Sequence, residues 1–298
     1  KIWKDEQFGV KTGDPRTFKT FDDMWNAFRL QLENAVKHCM IQKYVALAIK
    51  PKYIAAPFAS MLHDLSMEHG RDLHTHGEYI PGALDACCID GIGGFATAID
   101  SLAAVKHLIY DTQKLTWDQL LDAMEKNWEG KEAIRQMCLN APKYGNGIEW
   151  VDRIGYEIQR VVMEYSHNHP KPHGQSFNLR IIPVTFHVPA GKATMATPSG
   201  RLAGEYLSEG ISPSHGMDVK GPTVSLQSMA RATCHVYKEH REDLINMKMA
   251  PSNVTGEEGT RRLMQLIRVW CNQKHSHIQF NILNKETLLA AQKDPEKY

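Results

Sequence analysis

Residues 182–228 read IPVTFHVPAGKATMATPSGRLAGEYLSEGISPSHGMDVKGPTVSLQS. A β-branched run opens the stretch. A loop follows in which Gly191, Gly200, Gly204, Gly210, Gly216 and Gly221 are set among Pro189, Pro198, Pro213 and Pro222. Glycine reaches backbone conformations closed to other residues and proline fixes φ, so a loop of this composition is built to hold one shape. It is too long for an ordinary connection and too patterned for a linker. It reads as the wall of a site, and Arg180–Val188 before it reads as a strand, with Pro183 placing that strand at an edge or a bulge.

Working outward, the chain is mostly helical in pattern. Thr20 with Asp23 resembles a capping box, and Phe21, Met24, Trp25, Phe28, Leu32 and Val36 follow at helical spacing. A separate helix over Ile41–Ile49 is expected to stop near Pro51, and another to run from Pro57 to Gly70. Ile99, Leu102, Val105 and Leu108 mark an amphipathic helix over Ala96–Tyr110. Thr116 with Gln119 forms a second capping box, for a helix reaching Trp128. Glu132–Leu139, Ile148–Tyr165, Glu257–Cys271 and Lys285–Gln292 also read as helices, and His277–Leu283 as a strand. The fold class is therefore α/β, with a few strands separated by many helices.

Composition excludes several partner classes. The 298 residues are 42% hydrophobic, enough for one large core or two. Basic and acidic groups nearly cancel (35 against 34, net +1), so no global field recruits nucleic acid or an anionic membrane. No apolar run approaches the roughly 18–20 residues of a bilayer span, and Lys1 opens without a signal-peptide pattern. Cys39, Cys87, Cys88, Cys138, Cys234 and Cys271 contain no CxxC pair, which favours a reduced, cytoplasmic setting. A start without Met and a stop at Tyr298, just after a helical pattern, suggest a fragment.

Each chemical motif has a plainer reading. His63, Asp64, His69, His74, His76 and Glu78 are metal-ligand types, but their spacing matches no motif, and they read as a solvated polar loop with no metal. Cys87-Cys88 lacks a neighbouring His or Lys to make a thiolate. Gly91, Gly93 and Gly94 are followed by no phosphate-loop lysine, and Asp85 and Asp90 flank them. Ser212, Ser214 and His215 lack the GxSxG elbow of a serine hydrolase. The residues thus show no nucleophile and no acid–base pair.

Several segments together resemble the glycyl radical enzymes. Thr197-Pro198-Ser199-Gly200-Arg201, Gly210-Ile211-Ser212-Pro213 and Gly216-Met217-Asp218-Val219-Lys220-Gly221-Pro222-Thr223 are similar to the family signature TPDGR…G.SP..G.D..GPT, with Ser199 where Asp is more common. Asp100–Lys106, Ala141–Asn146, His277–Asn281 and Ala290–Tyr298 extend the likeness, in family order, over essentially the whole chain. The resemblance implies a ten-stranded barrel of two antiparallel five-stranded halves inside helices. It also implies a glycyl radical, installed by a radical-SAM activating enzyme, that oxidises a cysteine to a thiyl. Residues 1–298 are then the C-terminal half of the barrel. The thiyl-cysteine loop lies before it and the radical-glycine loop after it, so no catalytic residue falls in the chain and no cofactor is bound to it.

Within the family, Lys52–Ala55, His76–Asp85 and Phe186–Thr194 are most similar to the alkylsuccinate synthases. That likeness implies addition of an n-alkane to fumarate in anaerobic hydrocarbon degradation, with small accessory subunits and a homo-oligomeric catalytic subunit. Ile182 and Val184 are expected to line the substrate channel, with Phe186 on the same face by strand alternation, and Cys88, Ile89 or Ile92 opposite. A dehydratase or C–N lyase acting on a small polar substrate is the alternative enzyme, and a relic without radical chemistry is the third reading.

Overall fold

The structure, a computed structural model, describes residues 9–73, 88–89, 92–169, 177–233 and 241–297. The chain divides into two compact units. The first holds residues 1–90, 158–180 and 235–241, and the second residues 91–157, 181–234 and 242–298.

In the first unit the expected capping box forms. The Thr20 hydroxyl accepts the Asp23 N–H, the Asp23 carboxylate accepts the Thr20 N–H, and helix α1 runs from Phe21 to Tyr53. The expectation of two helices here is corrected: no Gly or Pro lies between Thr20 and Pro51, so nothing in the chain breaks the first helix. Short helices α2 (Pro57–Met61) and α3 (Asp64–His69) pack together, and α3 ends at Gly70 in the left-handed region. His63 serves as the N-cap of α3, its ring nitrogen accepting the Ser66 N–H at 3.2 Å. His74, His76 and Glu78 lie outside the described residues, as do Cys87, Asp90 and Gly91. Strand β1 (Cys88–Ile89) belongs to this unit.

The second unit is built on helix α4 (Phe95–Val105), which continues as a π-helical turn over Lys106–Asp111. Phe95, Ile99, Leu102 and Val105 are almost fully buried, each contributing about 1.5–3 kcal/mol by burial. No side chain of its own caps α4, so the orphan N–H groups of its first turn are satisfied from far along the chain. The Thr97 N–H donates to the Ser208 hydroxyl and the Ser208 N–H to the Thr97 hydroxyl, both at 3.0 Å, while the Gly94 N–H donates to the Ser208 carbonyl at 2.8 Å. Helix α5 (Trp117–Glu125) starts at the expected Thr116–Gln119 capping box, and α6 (Glu132–Asn140) follows. Helix α7 (Glu149–His167) belongs to both units, Glu149–Glu157 to this one. A Cβ on Gly155 would collide with Ile99, Ala232 and Phe95, so glycine lets α7 lie against α4.

Strand β2 (Asn178–Ile181) pairs in parallel with β1, Cys88 opposite Asn178 and Ile89 opposite Leu179. It ends at Ile181, so the expected strand over Arg180–Val188 is corrected. Pro183 has no N–H to donate, Val184 adopts a left-handed φ of 51°, and the chain enters helix α8 (His187–Ala193). Pro189 is tolerated there because it falls in the first turn. Helix α9 (Pro222–Arg231), strand β3 (Arg241–Met249), helix α10 (Gly256–Asn272), strand β4 (His277–Ile282) and helix α11 (Lys285–Lys293) complete the chain. β3 and β4 are parallel over Leu244–Met249 and His277–Ile282, joined through α10 as a βαβ crossover. The chain is α/β. Its described strands form parallel pairs, and the ten-stranded barrel is not seen among the described residues.

Candidate functional site

The glycine-rich loop is held from below by two short segments. The Trp128 indole N–H donates to the Arg201 carbonyl at 3.0 Å, the Arg135 Nε to the Gly200 carbonyl at 2.9 Å, and the Ala203 N–H to the Asn127 side chain at 2.7 Å. Arg201 turns inward and donates to the carbonyls of Thr194, Met195 and Glu205. Further along, the Asn146 amide donates to the Met217 carbonyl at 2.7 Å and accepts the Val219 N–H at 2.9 Å. These bonds fix the shape that the glycines permit. Gly210, at φ 54°, brings the loop so near strand β3 that a Cβ would overlap the Leu244 carbonyl.

Two buried aspartates anchor the assembly. Asp100 of α4 is wholly buried, accepting the Tyr144 N–H at 2.9 Å and the Ser214 hydroxyl at 2.7 Å. Burial pushes its carboxyl up, and Lys143, Ser214 and the Tyr144 N–H pull it back. Burial likewise pushes the Lys143 ammonium down against the pull of Asp100, while its Nζ donates to the Cys138 carbonyl at 2.5 Å. The neighbouring Cys138 thiol is driven up to about 11 by burial, which makes it inert as a thiolate. Asp152 of α7 accepts from the Ser228 hydroxyl and from the Arg231 Nε, the latter at 2.9 Å. Ser228 in turn accepts the N–H groups of Gly145 and Gly147.

Between α4, α6 and the loop lies a cavity of about 200 Å³. Thr97 and Asp100 come from α4, Arg135 and Leu139 from α6, and Lys143 from the turn after it. The loop gives Ser199, Gly200, Arg201, Glu205–Ser208, Ser214, His215 and Met217. Beside it the His215 Nε2 donates to the Glu209 carboxylate at 3.1 Å, and His187 Nε2 stands 3.8 Å from the other oxygen. The hydrogen bond from His215 holds the Glu209 carboxyl below its ordinary value against the opposing effect of burial, with the charges of His215, His187 and Lys248 adding to the depression. A depressed carboxylate stabilises the fold above its ordinary value of 4.5 and loses that contribution as pH falls through the lowered one. Acid unfolding of Glu209→Gln is therefore expected to be less steep than that of the parent in the pH range below 4.5. Identical acid profiles would exclude a stabilising role for this contact.

The loop does wall a cavity, as its composition led us to expect. The expected lining residues are not among those that line this cavity. Ile182 is half-buried, Val184 is 70% and Phe186 54% exposed, and the three share no strand face because β2 has already ended. Ile89 is buried and Ile92 half-buried, while the Cys88 side chain lies outside the described residues. Ser212, Ser214 and His215 are engaged separately: Ser212 accepts the Asn246 N–H, Ser214 serves Asp100 and His215 serves Glu209. Asp100, Arg135 and Lys143 were not read as site residues from the sequence. One signal could have found Asp100: it is the single carboxylate inside the apolar run FATAIDSLAAV.

Residues 1–191 match the pyruvate formate lyase-like family, and residues 207–298 match the glycine radical domain. The chain belongs to the glycyl radical enzymes. It is 42% identical over 294 residues, 99% of its length and 35% of the relative's, to the isethionate sulfite-lyase of Oleidesulfovibrio alaskensis. It also resembles the hydroxyproline dehydratase of Clostridioides difficile solved with substrate trans-4-hydroxy-L-proline bound, with a TM-score of 0.87 and 35% identity over 98% of this chain and 36% of that one. The glycerol-bound B12-independent glycerol dehydratase of Clostridium butyricum gives a TM-score of 0.84 and 34% identity over 99% and 37%. The chain spans about a third of the length of the curated relatives it matches.

These likenesses overturn the expectation of alkane addition to fumarate. The similar proteins are a sulfite-lyase and dehydratases, and the likeness to alkylsuccinate synthases is not supported. The expectation rested on the likeness of Lys52–Ala55, His76–Asp85 and Phe186–Thr194 to those synthases, with an apolar strand face at Ile182, Val184 and Phe186 in agreement, and that strand face does not form. Among the described residues, no helix is long and apolar enough to cross a membrane.

Proposed function

We propose that this chain is the C-terminal part of a glycyl radical lyase that eliminates a hydroxyl or a sulfite group from a small polar substrate. The observation that carries the reading is the likeness to a sulfite-lyase over nearly the whole chain at 42% identity, alongside a structural match to dehydratases. The polar cavity agrees with it, since such substrates need hydrogen-bonding and charged groups to fix them. In this scheme a thiyl radical takes a hydrogen atom from the carbon next to the one bearing the leaving group. The C–O or C–S bond then breaks with its electron pair going to the leaving group, which departs as water or hydrogen sulfite with a proton from the heteroatom on the radical carbon. The thiol hydrogen returns to the organic product radical. The cysteine, the radical glycine and the rest of the barrel are proposed to lie on the remainder of the protein, with a radical-SAM enzyme as activating partner. The glycine-rich loop, held by Trp128, Arg135 and Asn146, supplies a wall that keeps water from the radical.

The test is anaerobic activation of the full-length protein, followed by turnover with isethionate, trans-4-hydroxy-L-proline, glycerol and 1,2-propanediol in parallel. Sulfite release or dehydration of one of them, with a glycyl doublet in the electron paramagnetic resonance spectrum, is the expected result. A protein that carries the doublet and eliminates neither group from any of them sinks the proposal.

A further inference from the structure

The walls of the cavity carry more positive than negative charge. Arg135, Lys143 and Arg201 face it against Asp100 and Glu205, three cations to two carboxylates. Asp100 is already committed to the Tyr144 N–H and the Ser214 hydroxyl. Arg201 gives its Nη groups to three backbone carbonyls and serves as a fixed charge in the wall. The other two cations keep donors in hand. Among the described residues the Arg135 side chain makes one hydrogen bond, from Nε to the Gly200 carbonyl at 2.9 Å, which orients the guanidinium and leaves both Nη groups uncommitted. Lys143, only 7% exposed, places one of its three donors on the Cys138 carbonyl.

Lys143 has Asp100 as a buried counter-charge, whereas Arg135 forms no ion pair among the described residues, and a guanidinium held by Nε presents a planar pair of donors shaped for an oxyanion. With liquid water occupying about 30 Å³ per molecule, 200 Å³ holds roughly six waters. That is room for a tetrahedral or pyramidal oxyanion, or for a two-carbon sulfonate or carboxylate. We propose that this cavity is a binding site for a small oxyanion, seated between the Nη edge of Arg135 and the Lys143 ammonium. The site goes beyond the reaction proposed above, because it binds without activation or turnover. The same chemistry fits a free inorganic anion and the anionic end of an organic molecule.

Calorimetric titration of the unactivated full-length protein with sodium sulfate and with sodium ethanesulfonate, at ionic strength held constant with chloride, tests this. Saturable one-to-one binding of at least one anion is expected, weakened about tenfold or more in Arg135→Gln. Preference for sulfate identifies a free oxyanion, and preference for ethanesulfonate an organic one. Ser199→Asp gives an independent check. It adds a carboxylate to the same wall, leaves the Arg135–Gly200 bond in place, and is also expected to weaken binding about tenfold or more. Absence of saturable binding in the parent, or parent-like affinity in folded Ser199→Asp and Arg135→Gln, overturns the site. Either result leaves the elimination reaction standing, since that reaction is judged by turnover of the activated enzyme.

Discussion

Replacement of Asp100 by alanine is expected to lower stability by about 3–5 kcal/mol, the range found when one partner of a buried charged pair is removed. The loss does not come mainly from an attraction that disappears. Asp100 is wholly buried, and taking it away strands the Tyr144 N–H, the Ser214 hydroxyl and the nearby Lys143 ammonium, two of which are themselves shut off from water. Lys143 keeps only its bond to the Cys138 carbonyl. Asparagine offers one acceptor oxygen where two donors converge, so Asp100→Asn falls between the parent and alanine. Ser214→Ala removes a single hydrogen bond and costs about 1 kcal/mol. Urea unfolding followed by tryptophan fluorescence measures the series, Trp128 reporting on the loop through its bond to the Arg201 carbonyl. A loss from Asp100→Ala no larger than that from Ser214→Ala would show that the carboxylate is not the anchor.

How far such a site can be read without coordinates depends on where its residues get their partners. The capping boxes at Thr20 and Thr116 were legible because each lies within four consecutive residues, complete in its own segment. α10 and β4 were legible for a similar reason, their periodicity being local. β3 was not, since Asp243, Leu244 and Ile245 are buried in succession and no period-2 signal survives. α9 was missed because its buried face includes Ser225 and Ser228, polar residues whose role is set by distant groups such as Asp152. The apparent strand over Arg180–Val188 was a β-branched composition overruled by Pro183 and by the turn at Val184. The loop gave itself away as a wall by its glycines and prolines. The charged groups that give the cavity its chemistry did not, because Asp100, Arg135 and Lys143 meet only after α4, α6 and the loop have been folded together.

The same dependence predicts the outcome of Gly145→Ala. Gly145 adopts φ 91°, and a Cβ there would overlap the Pro213 ring, whose Cβ is 2.8 Å away. A left-handed conformation costs a non-glycine residue about 1–2 kcal/mol and overpacking a further 1–3, for a loss of about 2–5 kcal/mol. Proline cannot rotate its ring away, so the strain passes to Ser214, the next residue and the one that donates to Asp100. Gly145→Ala and Asp100→Ala thus damage one latch, between residues 143–146 and 211–219, from its two sides. The double variant is expected to be less destabilised than the sum of the singles by about 1 kcal/mol or more, as for residues sharing one network. Losses that add to within about 0.5 kcal/mol would mean that the turn at Gly145 and the carboxylate of Asp100 hold the loop independently. Sub-additivity would make the latch a single device, in which the glycine provides the approach and the aspartate the bond that closes it.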